Sequence, residues 1–198
     1  MKKITLLLIL IIISGCSKEF NDVNIKNVEP FPMAKIDGKH LVYISNEKFK
    51  HKKKFSSEDC ESWSVNLNFD DPMKQSIKNV LDEMLKKYSL TNKKLNSSEI
   101  EDKGYVSQIS FFDFQIFSNF YTERNTGKYD VSLKAKVRVE NSSKNITNEI
   151  SSNMSWEKNI FLNCNLKEGA TKTGQKALNN LLKNIYESSY ESLYQITK

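Results

Sequence analysis

Residues 129–139 alternate without a break: Tyr129, Val131, Leu133, Ala135, Val137 and Val139 are interleaved with Asp130, Ser132, Lys134, Lys136 and Arg138, and Lys128 precedes them. A period of two sends one set to each face of a strand, so this stretch predicts an antiparallel sheet packed on one side and wet on the other. The same rule places Trp63, Val65, Leu67 and Phe69 on one face of an earlier strand, opposite Ser62, Ser64, Asn66 and Asn68. Leu41-Val42-Tyr43-Ile44 predicts a short first strand, rich in β-branched and aromatic residues. Residues 105–121 carry Phe111, Phe112, Phe114, Phe117 and Phe120, and their alternation slips near Phe117, which predicts a long strand with a bulge. Arg124-Asn125-Thr126-Gly127 predicts a turn in which Gly127 takes a positive φ. After a second turn at residues 141–145, Ile146, Ile150, Met154 and Trp156 mark a weaker strand.

Twice the period lengthens to three and four. Asp70-Asp71-Pro72 offers a capping aspartate and a first-turn proline, and Ile77, Val80, Leu81, Met84, Leu85 and Tyr88 follow as one helical stripe. A polar connection leads from there to the phenylalanine-rich strand. Near the C-terminus, Gly169 and Gly174 mark the start of a second helix with Leu178, Leu181, Leu182 and Ile185 on one stripe. Tyr186, Tyr190, Leu193 and Tyr194 form another, read as rim packing. The expected order is β-β-α-β-β-β-α. It defines an α+β fold in two layers, a mainly antiparallel sheet with two amphipathic helices on one face.

The N-terminus follows a different logic. Met1-Lys2-Lys3 is basic, residues 4–13 are almost wholly apolar, and Ser14-Gly15-Cys16 follows. A span of that length falls short of the ~20 residues needed to cross a bilayer and reads as a removable signal peptide. Ile13-Ser14-Gly15-Cys16 resembles the lipobox of bacterial lipoproteins, with isoleucine where leucine is usual. The resemblance implies cleavage after Gly15, diacylation of the Cys16 sulfur and acylation of the new amino group. Each buried methylene contributes ~0.8 kcal/mol, so two or more chains hold far better than one. Ser17, in place of an aspartate, implies the periplasmic face of the outer membrane if the cell is Gram-negative.

Three segments result: a signal peptide at 1–15, a lipidated tether at 16–38 stiffened by Pro30 and Pro32, and one globular domain at 39–198. Removing Lys2 and Lys3 lowers the formal charge from +6 to about +4. Such a mild excess suits anionic headgroups and, on an exported protein, excludes nucleic acid as the expected partner. Lipidation consumes one of three cysteines. Cys60 and Cys164 remain as a candidate disulfide in an oxidising compartment, closing a loop whose entropy is worth on the order of 4–5 kcal/mol.

In topology, residues 60–194 resemble the YajG-like and LptE-like envelope lipoproteins, through the strand that enters a helix at Phe69-Asp70-Asp71-Pro72, the long central meander and the closing helix. The resemblance implies a non-catalytic accessory role and carries over no binding residue.

Chemistry-bearing motifs are sparse. His40 and His51 lack ligand-spaced partners, and the pair Cys60 and Cys164 does not make a zinc site, so no metal or cofactor is expected. Gly169-Ala170-Thr171-Lys172-Thr173-Gly174 has the glycine spacing of a phosphate loop, but Gln175-Lys176 stands where Lys then Ser or Thr is required. Glu58, Asp59, Asp70 and Asp71 read as loop and cap residues, and no catalytic constellation is expected. The candidate contact is a basic loop of Lys48, Lys50, Lys52, Lys53 and Lys54, flanked by Phe49 and Phe55, suited to anionic lipid or lipopolysaccharide.

The expected function is thus a membrane-anchored, non-enzymatic scaffold or accessory subunit in outer-membrane assembly or lipid transport, working with an envelope protein partner. The alternative is a lipid carrier whose apolar pocket, between helices and sheet, uses residues 111–120.

Overall fold

The unbroken alternation at 129–139 becomes the middle of three long strands in a computed structural model that describes residues 34–54, 64–159 and 167–197. Cys16, Phe55, Cys60, Trp63 and Cys164 lie outside the described residues, and with them the expected lipidation and disulfide. In chain order the elements are β1 (Ile36–Ile44), β2 (Lys50–Lys54), β3 (Ser64–Asn68), α1 (Asp70–Met84), β4 (Leu85–Thr91), α2 (Ser97–Asp102), β5 (Ser107–Glu123), β6 (Thr126–Glu140), β7 (Asn145–Asn159) and α3 (Lys167–Thr197). The main sheet has the order β4-β1-β5-β6-β7, and β2 and β3 form a separate antiparallel pair. The α+β, two-layer expectation holds. The sheet is mixed: β4, β1 and β5 run parallel, whereas β5, β6 and β7 form the antiparallel meander.

Alternation decides which side is packed. Tyr129, Val131, Leu133, Ala135, Val137 and Val139 are all buried, under α3 and in one core with α1. From α1 that core takes Met73, Ile77, Val80, Leu81 and Met84; from α3 it takes Leu178, Leu181, Leu182, Ile185 and Tyr186. Serines let α3 approach β7 closely, and Asn148 Nδ2 donates to Ser188 Oγ at 2.8 Å and to Ser192 Oγ at 2.9 Å. On β1, Leu41 and Val42 point to opposite faces: Val42 joins the main core, and Leu41 joins a small second cluster with Leu95 and Ile100.

Several local expectations are corrected. The first helix stops at Met84, and Leu85 and Tyr88 belong to β4, paired parallel to β1. Leu85 turns to extended geometry at φ −116° and ψ 142°, yet stays buried, so its apolar character served two conformations equally well. The polar connection contains α2, opened by a capping box in which Asn96 Oδ1 accepts from Glu99 N and Glu99 Oε2 accepts from Asn96 N. Asp70 does not cap its own helix: its carboxylate accepts from Phe49 N, and Asn68 Oδ1 accepts from Asp70 N at 3.2 Å. The bulge in β5 lies between Phe112 and Gln115, with Asp113 at φ 55°. In the β5–β6 turn Arg124 (φ 47°) and Asn125 (φ 67°) carry the positive φ, the two-residue pattern matched to the twist of a hairpin. Gly127 is already in β6.

The folded part also begins earlier than residue 39. Ile36, Asp37 and Gly38 are in β1, and Lys86 Nζ meets Asp37 Oδ1 at 2.8 Å. Gly38 sits at φ 109°, where a Cβ would come within 2.8 Å of Val106 Cγ2, so the position requires glycine on both counts.

Candidate functional site

The expected basic loop is a strand. Lys50, Lys52 and Lys54 pair across to Asn68, Asn66 and Ser64, while His51 and Lys53 pair with the buried Leu67 and Val65. Alternation therefore divides the cluster, with Lys50, Lys52 and Lys54 on one exposed face and Lys53 on the other, where its Nζ donates to Asn119 Oδ1 at 3.2 Å. Lys50 is ion-paired with Asp70 at 3.3 Å, and Lys48 is exposed in the preceding segment. Phe49, expected at an interface, is buried instead. Its ring lies 5.4 Å from Phe69 and 5.5 Å from Phe114, which fastens the β2–β3 pair to the core.

Beyond the bulge, the register stacks two outward rows across the meander: Phe117, Ser132 and Asn153, then Asn119, Asp130 and Ser155. With His51 and Lys53 they line a groove of about 430 Å³. Phe117 is 53% exposed and shares the outward face of the meander with Phe112 and Tyr121, which Arg138 and Lys128 cover. The cations of β6 on that face are engaged. Lys128 meets Glu123 at 2.8 Å, Lys136 meets Asp113 at 2.7 Å, Lys134 meets Glu149 at 3.5 Å, and Arg138 Nε donates to Thr147 Oγ1 at 3.0 Å. Its ammonium partners hold the Asp113 and Glu123 carboxyls below their ordinary range. Asp130, by contrast, has no hydrogen-bond or ion-pair partner among the described residues. The His51 ring is kept below the usual imidazole range by burial and by Lys53, and its Nε2 is enclosed without a partner among the described residues.

His40 is fully buried in β1. Its Nε2–H donates to the Asp37 carbonyl at 3.1 Å, which leaves Nδ1 to accept from the Ser107 hydroxyl at 2.8 Å. Burial lowers its pKa, against the opposing pull of the Asp37 carbonyl. Ser107 has no solvent exposure, so the contact acts as a clamp between β1 and β5. A second internal network runs from Leu95 through Gln108 to Glu140 and Lys94: Gln108 Nε2 donates to Glu140 Oε1 at 2.9 Å, and Leu95 N donates to Gln108 Oε1 at 2.8 Å. Neither was legible in the sequence, because each joins residues from separate segments of the chain.

Gly169 and Gly174 lie in the first turns of α3, both buried. Gly169 faces the Trp156 ring so closely that a Cβ would come within 2.6 Å of it. Gly169 thus serves the packing of α3 against β7. The phenylalanines considered for a lipid pocket separate: Phe111 and Phe120 are core, Phe112 lies under Arg138 on the opposite face, and Phe117 is in the groove. Among the described residues no group of three His, Cys, Asp or Glu is placed to hold a metal ion, and no helix is long and apolar enough to cross a membrane.

No family model and no curated protein matches the chain. Among solved structures it is similar to a minor lipoprotein from Acinetobacter baumannii, at 8% identity and a TM-score of 0.43, covering 77% of this chain and 92% of that one. It is also similar to a hypothetical protein from Chlamydia trachomatis (10% identity, TM-score 0.38, 81% and 98% covered). A third is a putative neuraminyllactose-binding hemagglutinin homolog from Helicobacter pylori (12% identity, TM-score 0.39, 88% and 97% covered). Likenesses this distant carry no argument about ligand or role.

Proposed function

We propose that the chain is a lipid-anchored envelope lipoprotein whose domain acts as a non-catalytic scaffold or accessory subunit in outer-membrane assembly or lipid transport. The observation that supports this reading is Ile13-Ser14-Gly15-Cys16 at the end of a short apolar run behind two lysines. A diacylated Cys16 confines the domain to a surface and raises its effective concentration near an envelope protein partner. In a Gram-negative cell the surface is the periplasmic face of the outer membrane. Cys16→Ala should move the protein from the membrane to the precursor or soluble fraction, and crosslinking in intact cells should then no longer capture the protein partner. Unchanged fractionation of the variant would refute the reading.

The exposed face of β2 adds a second, electrostatic contact with the phosphates of anionic lipid or lipopolysaccharide. Near a charged surface each lysine contributes about 1 kcal/mol, so Lys52→Gln with Lys54→Gln should weaken binding to phosphatidylglycerol-containing vesicles by about tenfold or more. Lys53→Gln alone, on the other face, should have a smaller effect. Co-sedimentation of the two variants measures both, and equal losses would show that the strand does not present its lysines to the membrane by face.

A further inference from the structure

We propose that the groove between β2 and the outward rows of β5, β6 and β7 binds an uncharged saccharide, one pyranose ring stacking on Phe117 while its hydroxyls reach Asp130, Asn119 and Asn153. The inference rests on the groove alone and is independent of the anchoring of Cys16.

A pyranose ring has an apolar C–H face and a rim of hydroxyls, each both donor and acceptor. The groove offers the complement of both. Phe117 supplies an aromatic face that is 53% exposed. Aromatic faces accept weak C–H contacts while contributing apolar area. Around that ring stand a carboxylate, two carboxamides and two hydroxyls. Among the described residues the side chains of Asp130, Ser132, Asn153 and Ser155 form no hydrogen bond or ion pair. Asn119 is oriented by Lys53, which occupies its oxygen and leaves the amide donors uncommitted. Elsewhere on this face Lys128, Lys134, Lys136 and Arg138 are paired within the protein, whereas the polar groups of the groove remain open to a ligand.

Other ligand classes fit less well. A lipid chain would cover Asp130 and Lys53, which line the same groove, and offer neither a polar partner in place of water. An anion would meet the unpaired Asp130, and a cation would meet Lys53 in the same groove. A neutral polyol meets neither obstacle. It gains charge-assisted hydrogen bonds at Asp130, which are roughly twice as strong as neutral ones. The volume of about 430 Å³ suits a mono- or disaccharide and falls within the roughly 300–1,000 Å³ typical of small-ligand sites.

The test is titration calorimetry of the purified full-length protein with lactose, with N,N′-diacetylchitobiose and with methyl glucuronide as an acidic control. The expected result is saturable binding of at least one neutral disaccharide and weaker binding of the glucuronide. Phe117→Ala and Asp130→Asn should each weaken the neutral ligand by about tenfold. Lys134→Gln, on the same face but paired with Glu149 outside the groove, should leave binding unchanged. Thermal melting checks that the exposed-residue variants remain folded. Absence of binding by both disaccharides, equal binding by wild type and the two groove variants, or a preference for the glucuronide would each overturn the proposal.

Discussion

Phe69→Ala is expected to cost about 3–5 kcal/mol in unfolding free energy, the range for truncating a buried phenylalanine. Three elements meet at this residue. Its ring is fully buried and lies 5.4 Å from that of Phe49, its N–H donates to the Phe49 carbonyl at 2.9 Å, and its carbonyl accepts from Met73 N at 2.8 Å in the first turn of α1. Truncation opens a cavity where the β2–β3 pair joins the core, and the backbone bonds remain to limit collapse into it. Because a domain's whole stability is about 5–15 kcal/mol, the loss should move a urea midpoint well down. A change under about 1 kcal/mol would show that the β2–β3 pair is not held by this ring.

Gly169→Ala sets two effects of opposite sign against each other. Helix propensity alone favours alanine by about 1 kcal/mol. The new Cβ, however, would lie 2.6 Å from the Trp156 ring, and overpacking costs about 1–3 kcal/mol. The expected net result is destabilisation, measurable by chemical unfolding. The diagnostic is the double-mutant cycle: in a Trp156→Ala background the same substitution should become neutral or stabilising, because the obstacle has gone. If Gly169→Ala costs the same in both backgrounds, Trp156 is not the reason for glycine there.

What the sequence makes legible follows from periodicity. Residues 129–139 have one face to bury and one to wet, and the structure uses them that way. The stripe from Ile77 to Met84 and that from Leu178 to Ile185 are likewise buried. Where periodicity is silent, pairing between segments distant in the chain decides the structure. Lys50, Lys52 and Lys54 have no apolar partners on their own face, so β2 is defined by its pairing with β3, a contact between segments that local pattern does not encode. Leu85 and Tyr88 fit a helical stripe as well as a strand, and parallel pairing with β1 decides between them. The groove was missed because its residues are ordinary singly: Phe117, Asn119, Asp130 and Asn153 become a cluster only through the register of three strands. The one signal for it in the sequence is Phe117 at an outward position of β5, which a bulge alone also explains.

The central claim is that a processed, acylated Cys16 holds this domain at a bilayer, and intact-mass measurement of the detergent-extracted protein addresses it most directly. The expected mature form lacks residues 1–15 and carries diacylglyceryl and amino-terminal acyl mass on Cys16, and globomycin should make the uncleaved, diacylglyceryl-modified precursor accumulate. A mature form without acyl mass, or processing that globomycin leaves unaltered, would contradict the account.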